Sequence, residues 1–187
     1  MKVKALIFLL LSCLLTGCVA VIMAGTASSL VVYDRRAVSM VEKDARIFHV
    51  IHSNINHDSR FRASHIVVSS FNGVVLLAGQ TPVPSLRILA EKIARQTPNV
   101  VRVYNEITDG YPISLQEQSH DTWTTTQVRA NMLAEKDLES GSIRIITEQG
   151  VVYLMGVVTL DQAEIAVNVA RHIIGVRKVV KLFRYIQ

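Results

Sequence analysis

The chain has 187 residues, enough for one globular domain or two small ones. Half of them are hydrophobic, 19% are charged and 6% are aromatic, which is too apolar for a disordered chain and too charged for a bundle of membrane helices. The formal net charge is +5 with a mean hydropathy of +0.32, and two cysteines are too few for a disulfide scaffold. Much of the apolar excess lies at the front. Lys2 and Lys4 precede a stretch from Ala5 to Val32 without a charged residue. Its first part, Ala5 to Leu15, is a short apolar core behind a basic start, the build of a secretory signal.

That core runs into Leu15-Thr16-Gly17-Cys18, which resembles a bacterial lipobox. The resemblance implies that residues 1–17 are a signal peptide and that Cys18 is the lipid anchor, acylated at its thiol and its new amino end. Several acyl chains hold a protein firmly, because each buried CH₂ contributes about 0.8 kcal/mol. The competing reading is an uncleaved helical span, for which the uncharged run is long enough. Gly17, Gly25, Thr26, Ser28 and Ser29 interrupt it. Val19 after the cysteine, where an Asp would resemble an inner-membrane retention signal, favours the outer membrane. Loss of Lys2 and Lys4 lowers the net charge from +5 to +3 and leaves no free thiol. Residues 18–40 then read as the acylated terminus and a tether.

Two glycine-bracketed runs mark an internal repeat: Asn72-Gly-Val-Val-Leu-Leu-Ala-Gly79 and Gln149-Gly-Val-Val-Tyr-Leu-Met-Gly156. The offset of 77 also pairs Asp44 with Asp121, Ile51 with Val128 and Ile55 with Met132. With one gap, Asn99–Ile107 pairs with Gly175–Phe183. The repeats span 41–108 and 120–187, joined by a turn-rich linker at 109–119. In each, spacing predicts an amphipathic helix (Ile47, Val50, Ile51, Ile55; then Thr124, Thr125, Val128, Met132). Two strands follow, joined at Asn72-Gly73 or Gln149-Gly150, a pair suited to the positive φ of a tight hairpin. The next helix carries Leu86, Leu89, Ala90, Ile93 and Ala94, or begins at a Thr159/Gln162 cap and carries Ile165, Val169 and Ile173. A third strand closes the unit. The expected class is α+β: α-β-β-α-β twice, each a small mixed sheet with helices on one face.

This order, the glycine-bracketed second strand and the closing Gly-Val-x-x-Val run resemble the BON domain. Two such domains behind a lipobox are similar to dual-BON outer-membrane lipoproteins, along with Val103-Tyr-Asn-Glu-Ile107 and Asp121-Thr-Trp-Thr-Thr-Thr126. The resemblance covers nearly the whole chain after Cys18. It implies binding of anionic phospholipid such as phosphatidylglycerol through the second domain, accumulation at the division site and support of outer-membrane integrity. Pro98-Asn99 departs from the glycine usual at that turn.

A helical wheel of the second repeat's first helix puts Val128 and Met132 on the buried side. Trp123, Thr126, Ala130 and Leu133 fall on another side, where the first repeat carries Arg46, His49, Ser53 and Asn56. An indole suits a bilayer interface, with an apolar ring and an N–H that can reach water. Arg129 and Lys136 flank the stripe and could meet lipid phosphates, and Gln127 lies beside it. The expected lipid-binding residues are therefore Trp123, Thr126, Gln127, Arg129, Ala130, Leu133 and Lys136. The alternative is a protein-interaction adaptor for outer-membrane assembly or cell-wall machinery that uses the same surface. Charge does not select the second domain: 41–108 holds eight basic and five acidic residues, 120–187 eight and seven. Mixed charges without a basic run argue against nucleic acid. His49 and His52 share a helix face with no evident third metal ligand, and no catalytic motif is present, so neither cofactor, metal nor enzymatic activity is expected.

Overall fold

The computed structural model describes residues 38–187. The signal peptide, Cys18 and most of the tether lie outside the described residues. Helix α1 (Val38–His57) opens the first repeat, followed by the antiparallel strands β1 (His65–Phe71) and β2 (Val74–Thr81). Helix α2 (Pro84–Gln96) then crosses over to β3 (Arg102–Asp109), which pairs parallel with β2. The second repeat repeats the order with α3 (Leu115–Ala134), β4 (Ile143–Glu148), β5 (Val151–Val158), α4 (Leu160–Arg171) and β6 (Lys178–Tyr185). Each repeat is thus a three-stranded mixed sheet with its second strand in the centre. The α+β class and α-β-β-α-β order expected from the sequence are the observed ones. Among the described residues, no helix is long and apolar enough to cross a membrane.

A buried aspartate ties the first helix of each repeat to its hairpin. Asn72 and Gly73 turn the chain with φ of 51° and 75°, and Gln149 and Gly150 do so with 51° and 68°. The backbone N–H groups at such a turn cannot join the ladder and need acceptors. Asp44 accepts from the N–H of Asn72 (2.7 Å) and Gly73 (2.9 Å) and from the Ser70 hydroxyl (2.9 Å). Asp121 accepts from Gln149 (2.7 Å) and Gly150 (2.8 Å). The turn carbonyls in turn receive the start of the closing strand: Val101 N–H reaches Gly73 O and Arg177 N–H reaches Gly150 O, both at 2.8 Å. Asn99 stands in the left-handed region at φ 68°, where its counterpart Gly175 has φ 95°. Asparagine tolerates that conformation, which explains the departure from glycine in the first repeat. The glycines closing the motif answer to crowding. A Cβ at Gly79 would lie 2.1 Å from the His65 carbonyl, and one at Gly156 would lie 2.7 Å from that of Ser142.

Each sheet packs its helices on one side. Ile47, Ile51, Ile55, Leu86, Ala90 and Ala94 cover Val75 and Leu77 in the first repeat. Val128, Met132, Ala163, Ala166 and Ala170 cover Val152 and Leu154 in the second. Two details differ from expectation. Val50 is exposed, because the buried side of α1 is the narrow i, i+4, i+8 row of Ile47, Ile51 and Ile55. In α4 the sheet-facing positions are the alanines, and Ile165 and Val169, with Ile173 just beyond the helix end, flank them half-buried.

The helix-free sheet faces are buried too, against each other. Phe71, Leu76 and Ala78 join Tyr153, Met155 and Leu182 in a third core. The central strands β2 and β5 therefore bury both faces, which accounts for their unbroken apolar runs. Burial pushes the Tyr153 phenol up to about 12, with Glu106 and Glu148 adding to the shift. At the edge of this core Gln80 donates to Glu148 Oε1 (2.8 Å) and accepts from the N–H of Ile113 (3.3 Å). His65 Nε2 lies 3.6 Å from Glu148 Oε2. Residues 36–187 form one compact unit that contains all three cores, so a chain of these residues is expected to fold by itself.

Asp121→Ala leaves two half-buried N–H donors without their carboxylate acceptor and should destabilise residues 36–187 by about 1–3 kcal/mol in urea denaturation followed by circular dichroism. Glu148 holds the proton on His65 above its ordinary value of 6.5, against the opposing pull of burial. The folded state thus binds that proton more tightly than the unfolded chain. Its contribution is complete below 6.5 and disappears as pH climbs past the raised folded value. Urea midpoints should fall as pH rises through that window, and His65→Gln should flatten the slope.

Candidate functional site

Helix α3 begins five residues before the second repeat's expected boundary, inside the stretch read as linker. Ser114 caps it. Its Oγ accepts from Glu117 N–H (3.2 Å), while Glu117 Oε2 takes the Ser114 N–H (2.9 Å) and hydroxyl (2.8 Å). The Ser-x-x-Glu spacing was a readable signal for this start. These bonds hold the Glu117 carboxyl below its ordinary value, with a smaller push from Arg177.

The buried side of α3 is Asp121, Thr124, Val128 and Met132, at helical spacing. Trp123, Thr126, Ala130 and Leu133 all face solvent. Trp123 is 62% exposed and Leu133 44% exposed, while Leu115 in the first turn of the same helix is 79% exposed. They are ten positions apart, about 15 Å along the axis. The Thr126 hydroxyl is spent on the Thr122 carbonyl (3.0 Å), so this side of the helix shows its methyl rather than a free polar group. Gln127 is half-buried beside the stripe, and Lys136 is exposed just beyond the helix end.

Arg129 is placed differently from the other cation. It is half-buried and donates from Nη1 to the Ile143 carbonyl (3.0 Å). Burial, and secondarily Arg144, pulls its guanidinium below its ordinary value. Arginine nevertheless stays charged. Its first hydrogen bond is structural, and Lys136 is the flanking cation that stands in solvent.

At the stripe positions the first repeat is polar, as its sequence reads, and Arg46 pairs with Glu42. It is not bare of exposed apolar surface. Phe48, 40% exposed, lies on another side of α1 with its ring stacked on His52 at 5.1 Å, and Val50 is exposed near it. Neither position was singled out from the sequence. Facing α3 across a groove of about 900 Å³ is the loop from α4 to β6, with Ile174 at its tip. This residue is 96% exposed, and nothing in the helical pattern pointed to it. Among the described residues, no group of three or more histidine, cysteine, aspartate or glutamate side chains is arranged to hold a metal ion.

The BON domain pattern matches residues 43–108 and 120–187. Outer membrane lipoprotein DolP of Haemophilus influenzae is 34% identical over 174 residues, covering 92% of this chain and 90% of that one. The 21 kDa hemolysin of Actinobacillus pleuropneumoniae is 36% identical over 135 residues, covering 72% of this chain and 70% of the other. Osmotically-inducible protein Y of Escherichia coli is 28% identical over 128 residues, covering 67% and 63%. Among solved structures, the C-terminal domain of CdsD from the Type III secretion system of Chlamydia trachomatis covers 76% of this chain and 96% of its own, at 12% identity and a TM-score of 0.33. That last likeness is too slight to bear on the fold.

Proposed function

The chain belongs to the BON domain family, and on that footing we propose that it is an outer-membrane lipoprotein that binds anionic phospholipid through the exposed side of α3. The acyl chains on Cys18 hold it to the membrane facing the periplasm. On this reading it supports outer-membrane integrity and acts at the division site. The location rests on the lipobox and on the relative from Haemophilus influenzae. The binding surface rests on one observation: Trp123 and Leu133 are exposed on the side of α3 that faces away from its core.

The physical case is a shallow insertion. Trp123 and Leu133 would give up contact with water on entering the interface, at about 1.5–3 kcal/mol for each large side chain fully buried. Lys136 would add about 1 kcal/mol beside an anionic surface. The anchor keeps these weak contacts close to the bilayer, so they need not be strong alone. The first domain carries more net positive charge, so a binding mode driven by charge alone would select the wrong half of the molecule.

Residues 36–187 are the right material for a test, because an isolated second repeat would expose Tyr153, Met155 and Leu182. Trp123→Glu and Leu133→Glu should each reduce sedimentation with phosphatidylglycerol vesicles by at least about tenfold, with an unchanged circular dichroism spectrum. Raising salt from about 0.1 M to about 1 M should weaken the wild type only modestly, because screening acts on charge and not on the stripe. Binding of both variants to these vesicles at the wild-type level would overturn the reading. Arg129→Gln should cost stability, whereas Lys136→Gln should cost about fivefold in binding and no stability. Photocrosslinking from position 123 in cells separates lipid adducts from the single protein adduct an adaptor would give.

A further inference from the structure

A stripe along one helix defines a line, and a domain touching a membrane along a line is free to roll about it. Ile174 lies off that line. It belongs to the loop between α4 and β6, and it shares with Trp123 the lining of the 900 Å³ groove. At 96% exposure it makes almost no contact within the molecule, so packing gives no reason for an isoleucine there. A lone exposed apolar residue needs no explanation by itself. Here it stands across a groove from the most exposed large ring of α3. The repeat supplies an internal comparison: the residue matching Ile174 is Pro98 and the one matching Trp123 is Arg46. Both apolar rims belong to the second repeat.

We propose that Ile174 is a second insertion point, entering the bilayer beside Trp123, with one phospholipid headgroup seated in the groove between them. This rests on the lipid-binding reading above and adds the orientation of the domain and the place of the headgroup.

The chemistry of the groove suits that occupant. Ile113 and Ile173 supply apolar lining. Arg177 donates from Nε to the Gln149 carbonyl (2.8 Å) and from Nη2 to the same oxygen, which sets its guanidinium across the hairpin turn. A guanidinium carries five donors, more than those two bonds use. His172 donates from Nδ1 to the Asn168 carbonyl (2.7 Å), so Nε2 of the neutral ring is an acceptor, suited to a headgroup hydroxyl rather than to the phosphate. Two carboxylates also line the groove, Asp121 and Glu117; they keep their charge while accepting the backbone N–H groups of Gln149, Gly150 and Ser114, so the headgroup phosphate falls to Arg177 and the carboxylates face the glycerol hydroxyls. Chain length brings a membrane within range. From Cys18 to Val38 the chain can extend at most about 70 Å.

The test uses residues 36–187, which contain no cysteine, so Ile174→Cys introduces a single thiol. A fluorophore attached there should be quenched by phosphatidylglycerol vesicles whose acyl chains are brominated. Ile174→Ser should weaken binding to phosphatidylglycerol vesicles by about tenfold, equivalent to about 1.4 kcal/mol, with no change in urea midpoint. If the wild type binds these vesicles while Ile174→Ser binds equally well, or the fluorophore is not quenched, this inference falls and the α3 reading stands. If the wild type does not bind phosphatidylglycerol vesicles, both fall together.

Discussion

Each repeat depends on one buried carboxylate. Asp44 and Asp121 stand on the first helix and accept the two N–H groups of the hairpin turn. A tight turn leaves those donors outside the ladder, and burying them without acceptors would cost more than the turn could return. The bond also fixes the helix against the sheet at a point where both must be in register. From there the turn carbonyl receives the closing strand, so helix, hairpin and third strand meet at one place. In the second repeat that place borders the groove between Trp123 and Ile174. The stability of the fold and the shape of the candidate site therefore share a residue.

The second constraint is that a small sheet with helices on one side has another side to bury. The chain solves this by placing the two sheets face to face. Leu76 and Ala78 meet Tyr153 and Met155, while their strand neighbours Val75, Leu77, Val152 and Leu154 face the helices. The repeats are thus halves of one unit rather than beads on a string. The polar edge of this contact, Gln80 with Glu148 and the Ile113 N–H, reaches the segment that leads into α3. The first domain consequently helps to hold the approach to a surface that belongs to the second.

The repeat, its element order and its turns were legible because they are written in local chemistry. The Asn-Gly and Gln-Gly pairs announce positive φ, and apolar spacing announces helix faces. Ser114-x-x-Glu117 was legible in the same way and marks a helix start inside a stretch that otherwise reads as linker. The stripe on α3 could be read by subtraction, since Trp123 and Leu133 fall outside the periodic buried row. Other features were not readable. The inward turn of Arg129 depends on a carbonyl fourteen residues away, at Ile143. The exposure of Val50 depends on how narrowly α1 meets its sheet, and the alanine face of α4 on how closely that helix approaches.

The composition is too apolar for a disordered chain and too charged for a bundle of membrane helices. The sequence by itself determined that the excess is divided between a front segment, two repeated cores and a small exposed remainder. Periodicity can do this because it states which residues share a face of a helix or strand. It does not state what that face meets. Only the tertiary structure decided that the second faces of β2 and β5 cover one another, and that Ile174, fifty-one positions along the chain, stands across a groove from Trp123. Those contacts join residues far apart in sequence, where no local pattern carries the information.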